Sequence, residues 1–221
     1  MTSGDTAGGR ARRGRLEAAH VWTATLTGVV ALGISLFNLA ELQRGPDVDV
    51  TLPHVIRIEP HAPGGTVHLF VQPTIATRFR AEDVEIITNI GLHLLPAGKG
   101  QQPLFHWNEV GAWTYDFASN RLNYNRTADP SPLVVNQDKP QQPTFLFHSN
   151  DWHLHAGRYD GTLVLSRSSD RAPVKKPFCL DISKDALQTF AKAPERQFYE
   201  LRNDVNPVTG RPQGESSCYA F

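Results

Sequence analysis

Two hydrophobic rhythms divide the chain. From Ala18 to Ala40 the residues carry no charge and are apolar around the whole helical circumference, after a leader containing Arg10, Arg12, Arg13 and Arg15. At 1.5 Å per helical residue such a run extends roughly 35 Å, against about 30 Å of bilayer hydrocarbon. The pattern predicts a transmembrane signal-anchor helix over 18–42, with a disordered basic leader at 1–17 on the cytoplasmic side. A cleaved signal fits less well, because Asn38 stands where a small-x-small site needs a small residue. On this reading the protein sits in the cell membrane as a single-pass chain, and everything after the anchor is extracytoplasmic.

Past a juncture at 43–53 the period drops from helical to two. Val67, Leu69 and Val71 alternate with His68, Phe70 and Gln72, and Val84, Ile86, Thr88, Ile90, Leu92 and Leu94 form the longest alternation. Such spacing puts one side of a strand against a core. Shorter runs follow the same rule at Val55–Ile58, Trp113–Phe117, Leu122–Tyr124, Leu133–Val135, Phe145–Phe147, Tyr159–Leu165 and Phe178–Ile182. Proline, glycine and aspartate cluster between them. Many short strands with turn residues at regular intervals predict an all-β antiparallel sandwich over 54–183. A short helix is expected at 184–193, capped by Ser183 and presenting Ala186, Leu187, Phe190 and Ala191 on its apolar side. The segment 194–221 reads as a polar tail.

Composition narrows the function more than the fold. Lysine plus arginine equal aspartate plus glutamate at 22 each, so there is no electrostatic footprint for nucleic acid. The two cysteines, Cys179 and Cys218, lack metal or redox spacing, and in an oxidising compartment they are expected to pair. The bridge would tie the tail to the last strand and contribute roughly 4 kcal/mol by loop closure.

The stretch from His155 through Gly157 and Tyr159 to Gly161 resembles the tyrosine corner of immunoglobulin-like domains. The resemblance implies that the Tyr159 hydroxyl bonds back to upstream backbone and that Leu163 and Leu165 point inward with it. Gly161 stands where antibody domains carry their second cysteine, so that inter-sheet bridge is not implied. The likeness covers this corner and the strand count, and it implies a fold rather than an activity.

Three groups of side chains offer chemistry. His148, His153 and His155, with Asp151 and Asp160 nearby, have the residue types of a transition-metal site. The aromatic segment offers a ligand face: Trp107 and Tyr124 are expected to be exposed, with Asn108 and Asn123 as polar contacts, whereas Trp113, Tyr115 and Phe117 are expected in the core. The carboxylates Glu82, Asp83 and Glu85 are expected to be solvated beside a turn. No nucleophile elbow, zinc-protease helix or phosphate loop is present, and no cofactor is implied. The leading expectation is a membrane-anchored, non-catalytic binding or scaffolding module of the cell envelope. A carbohydrate or cell-wall glycan binder using the aromatic face comes second, and a metal-dependent enzyme at the histidines third.

Overall fold

The computed structural model describes residues 22, 25–40, 47–62, 66–78, 84–98, 102–136, 139–150, 152–169, 171–193, 198–214 and 217–221. The chain falls into two units, Met1–Gly45 and Pro46–Phe221. In the first, Trp22 and residues 25–40 are helical (α1), with their side chains exposed. No helix among the described residues is long and apolar enough to cross a membrane. The expected spanning anchor over 18–42 is therefore corrected: no described helix meets that requirement, and Thr25, Thr27, Ser35 and Asn38 dilute the apolar surface of α1.

Among the described residues, the second unit has thirteen strands and one helix. In chain order the strands are β1 (Val48–Thr51), β2 (Val55–Ala62), β3 (Thr66–Val71), β4 (Thr74–Thr77), β5 (Glu85–Pro96), β6 (His106–Asp116), β7 (Arg121–Ala128), β8 (Leu133–Val135), β9 (Thr144–Ser149), β10 (Gly157–Arg167) and β11 (Val174–Ile182). Helix α2 (Lys184–Lys192), β12 (Tyr199–Arg202) and β13 (Tyr219–Ala220) follow. Strands β1 and β4 form a separate pair, and the other eleven make one sheet in the order β7-β6-β9-β3-β2-β12-β13-β11-β10-β5-β8. That sheet curls into a half-barrel. The all-β reading stands, but the expected two-sheet immunoglobulin-like sandwich is corrected: strands predicted for two facing sheets hydrogen-bond into one.

The main core is formed by Ile56, Ile58, Leu69, Phe145, Phe147, Leu94, Leu163 and Leu180, with Val50 and Ile75 of the small pair. Ser183 caps α2 by accepting from Ala186 N at 3.0 Å, and Ala186 and Phe190 are its buried residues. The stretch expected as a juncture contains β1, and the expected polar tail contains β12 and β13. Cys179 and Cys218 form the expected disulfide. It anchors β13, a two-residue strand that lies parallel to β11 and antiparallel to β12. Through β13 the two halves of the sheet become continuous.

Two bulges reset which side chains face inward. In β5, Asn89 pairs with Ser166 but Ile87 with Arg167, leaving Thr88 as an extra residue. Inward positions consequently change from Glu85 and Ile87 to Ile90, Leu92 and Leu94, while Val84 is exposed. Glu85 is thus buried rather than solvated, and it accepts from Ser169 Oγ at 2.7 Å, Ile86 N at 3.2 Å and Ser169 N at 3.3 Å. Burial alone would raise its pKa, but these hydrogen bonds and Arg167 outweigh it and hold the carboxyl below its ordinary value. Glu82 and Asp83 lie outside the described residues. In β6, Trp107 pairs with Phe147 and Glu109 with Leu146, so Asn108 is the extra residue there. A bulge shifts the alternation by one and turns the following side chains to the opposite face.

Candidate functional site

The β6 bulge decides which aromatics are presented. Before it, Trp107 faces the core, packs against Phe145 with ring centroids 5.6 Å apart, and donates its indole N–H to Glu109 O at 3.2 Å. After it, Trp113 and Tyr115 share the other face with Glu109 and Gly111. The expectation is therefore reversed. Trp107 is inward, Trp113 belongs to a second cluster on the outer face, and Tyr115 and Phe117 are exposed.

That second cluster has its own buried floor. Phe70 and Leu146 point away from the main core and are nonetheless buried. Trp113 covers Phe70 at 5.2 Å, and Tyr124 does so at 4.8 Å, with 5.3 Å between the two upper rings. Phe198 packs on Trp113 at 4.9 Å. The Arg57 guanidinium lies 4.5 Å from the Trp113 ring centre, a cation–π contact, and bonds to Glu200 Oε1 through Nη2 at 2.9 Å and Nε at 3.2 Å. These contacts fasten the β6–β7 hairpin back across the outer face of β3 and β2. Gly111 is required for this, since a Cβ there would stand 2.3–2.5 Å from the Tyr124 ring.

The cluster is apolar in body and polar in a few unsatisfied atoms. Among the described residues, Trp113 Nε1 and Thr144 Oγ1 are buried without a hydrogen-bond partner. Burial, and then the charge of Glu109, raises the Tyr124 phenol above its ordinary pKa. Glu109 itself lies 3.5 Å from the Arg126 guanidinium. The ring faces here are occupied by one another, so the cluster works as a brace.

What the brace presents is the hairpin tip. Tyr115 is 46% exposed and Phe117 87%, and their rings meet edge-on at 4.9 Å. The turn between them and β7 is ordered by Asp116, which accepts from Ala118 N at 2.9 Å and Ser119 Oγ at 2.6 Å. The Ser119 hydroxyl and the Ala118 amide hold that carboxyl below its ordinary pKa. Asn120 takes the left-handed conformation with φ 54°, which asparagine tolerates better than most residues, and the Tyr115 hydroxyl donates to its Oδ1. Asn123, a proposed polar contact, sits opposite Thr114 on the same hairpin, while Asn108 is the exposed bulge residue.

The three histidines grouped by sequence separate. His148 lies on β9, His153 borders a cavity of about 470 Å³ with Trp152, Leu187 and Phe190, and His155 contributes its backbone to the corner. Asp151 lies outside the described residues, and Asp160 pairs with Arg158 at 2.9 Å. No group of three or more metal-ligating side chains is assembled among the described residues. The corner itself is formed as expected. Tyr159 Oη donates to His155 O and accepts from His155 N, each at 3.0 Å, and Gly157, at φ 144°, makes the turn into β10.

A larger groove of about 730 Å³ lies beside β1, β10 and β11, with His54, Lys176, Phe178, Asn203 and Tyr219 in its lining. Its charged groups are already engaged, Lys176 with Asp49 at 3.0 Å and Arg158 with Asp160 at 2.9 Å, and His54 Nδ1 lies 3.2 Å from Asn203 Oδ1. The hairpin tip, by contrast, offers aromatic surface that the protein itself leaves uncovered.

No family model matches the chain, and no curated protein matches it. Among solved structures, a family 123 glycoside hydrolase from Clostridium perfringens shows a slight likeness, with 8% identity and a TM-score of 0.33. The match covers 61% of this chain and 27% of that one, so the shared portion is about a quarter of the hydrolase. A likeness this slight fixes neither fold nor activity, and the functional reading rests on the chain's own residues.

Proposed function

We propose that Pro46–Phe221 is a non-catalytic binding module that presents the tip of the β6–β7 hairpin to a protein partner in an oxidising, extracytoplasmic compartment. The observation that carries this reading is the pair Tyr115 and Phe117, stacked and exposed on a turn that is already ordered. Exposed aromatics on a pre-ordered element bind at low entropic cost. The Cys179–Cys218 bridge supports the compartment.

A cell-wall glycan is the second reading, favoured by the amide groups of Asn120 and Asn123 on the same hairpin as the two exposed rings. One experiment separates the two. A photocrosslinking residue replaces Phe117 in the full chain, and the chain is expressed in its own cells and irradiated. The protein reading expects a discrete crosslinked band that disappears when the photoresidue is moved to Val208, which is equally exposed at 91%. No band, with sedimentation on insoluble cell-wall glycan lost in a Tyr115→Ser, Phe117→Ser variant, would establish the glycan instead. Neither band nor sedimentation would refute the hairpin as a binding element.

A further inference from the structure

A row of titratable side chains crosses the outer face of four neighbouring strands, apart from the hairpin tip. Glu59 on β2 stands opposite His68 on β3, His68 opposite His148 on β9, and His148 opposite His106 on β6. Directly opposed residues of antiparallel strands project to the same face, so three imidazoles stand side by side at about the 4.8 Å strand spacing.

The three are not equivalent. His68 Nδ1 lies 2.8 Å from Glu59 Oε2, and because a carboxylate only accepts, Nδ1 carries the proton. Its Nε2 lies 3.4 Å from Thr66 Oγ1, so both nitrogens of His68 are engaged. His106 and His148 are bonded to no side chain among the described residues, and their ring centroids are 5.5 Å apart with a 36° tilt.

We propose that His106 and His148 chelate a divalent transition cation of the zinc, nickel or copper class, with its remaining positions open to water or an exogenous ligand. The spacing carries the argument. Metal–nitrogen bonds of about 2.0–2.1 Å at a tetrahedral angle place two imidazole centroids about 5.2 Å apart. The 5.5 Å in the structure needs an adjustment well within side-chain rotation. Glu59 puts a negative charge at the end of the row, which favours a cation, and its bond to His68 leaves His106 and His148 as the pair with open nitrogens. With two protein ligands the site is open, which separates it from a closed structural centre.

The test uses the full, tag-free chain stripped with chelator and then titrated with copper(II), read by electron paramagnetic resonance. The proposal expects one equivalent bound with hyperfine splitting from two imidazole nitrogens. Splitting falls to one nitrogen or binding is lost in His148→Gln and in His106→Gln, and both are retained in His153→Gln, His155→Gln. If His148→Gln loses the β-sheet circular dichroism signal, the exposed His106→Gln decides alone. An unchanged spectrum in His106→Gln, or no equivalent bound by the native chain, overturns the proposal.

Discussion

Replacing Cys179 and Cys218 by serine isolates the contribution of the bridge, because the two residues are 39 apart in sequence and their loop contains α2 and β12. Releasing a loop of that length returns about 13 cal/mol/K to the unfolded chain, or about 4 kcal/mol at 25 °C. For a domain of this size each kcal/mol moves the midpoint about 2–4 °C, so Tm should fall by about 8–16 °C. The structure adds a second expectation. Tyr219 is buried and donates to Pro53 O, while Phe221 packs on Tyr199 at 5.5 Å and Phe190 at 5.5 Å. Those contacts keep β13 seated without the bridge, so the variant should remain folded and should unfold cooperatively. Urea denaturation followed by tryptophan fluorescence, with Tyr219→Ala in the bridged chain for comparison, measures both terms. A loss below about 1 kcal/mol in the serine variant would refute the loop-closure account. A biphasic transition would refute the claim that packing alone holds β13.

Two smaller perturbations test the packing. Tyr159→Phe removes a hydroxyl that both donates to and accepts from His155 backbone, and it should cost about 1–3 kcal/mol in denaturant; a cost near zero would mean the corner holds nothing. Gly161→Ala places a Cβ 2.4–2.7 Å from three atoms of the Phe178 ring, an overpacking expected to cost about 1–3 kcal/mol. Phe178→Leu in the same chain should recover part of that loss, so strictly additive effects in the double variant would contradict the close approach.

Much of the fold was legible because long alternation and strong punctuation coincide. The runs at Leu133–Val135 and Tyr159–Leu165 lie in β8 and β10, Ser183 caps its helix, and the cysteine pair forms its bridge. The four-residue strands β1, β4 and β12 escaped because so short a run carries almost no period, and β13 has only two residues. The orientation of the aromatics escaped for another reason. A strict period of two puts Trp107, Trp113 and Tyr115 on one face, whereas the insertion at Asn108 puts Trp107 on one face and the other two on the opposite one, and that insertion leaves no mark in local composition. The histidine row was invisible because Glu59, His68, His106 and His148 come from four strands, and only pairing brings them together. Two-residue steps, as from His153 to His155, were easier to see than cross-strand neighbours, though the structure separates His148 from them. The apolar run at Ala18–Ala40 shows the converse, since the hydropathy window marked a span that no described helix is long and apolar enough to make.

The bulge at Asn108 also bears on how this protein can change over time. Substitutions on the exposed hairpin alter one side chain each, and the brace beneath them stays in place. Deleting Asn108 would be absorbed in the same way: Trp107 and Glu109 become consecutive and still stand opposite Phe147 and Leu146, so both flanks keep their faces. A residue inserted into the ladder between Glu109 and Asp116 is a different kind of event, because the side chains beyond it exchange faces. A gain of three nucleotides there would invert a surface that many separate point mutations would only edit. Insertions in homologous chains should accordingly fall in the turn at Phe117–Asn120 and spare the second half of β6.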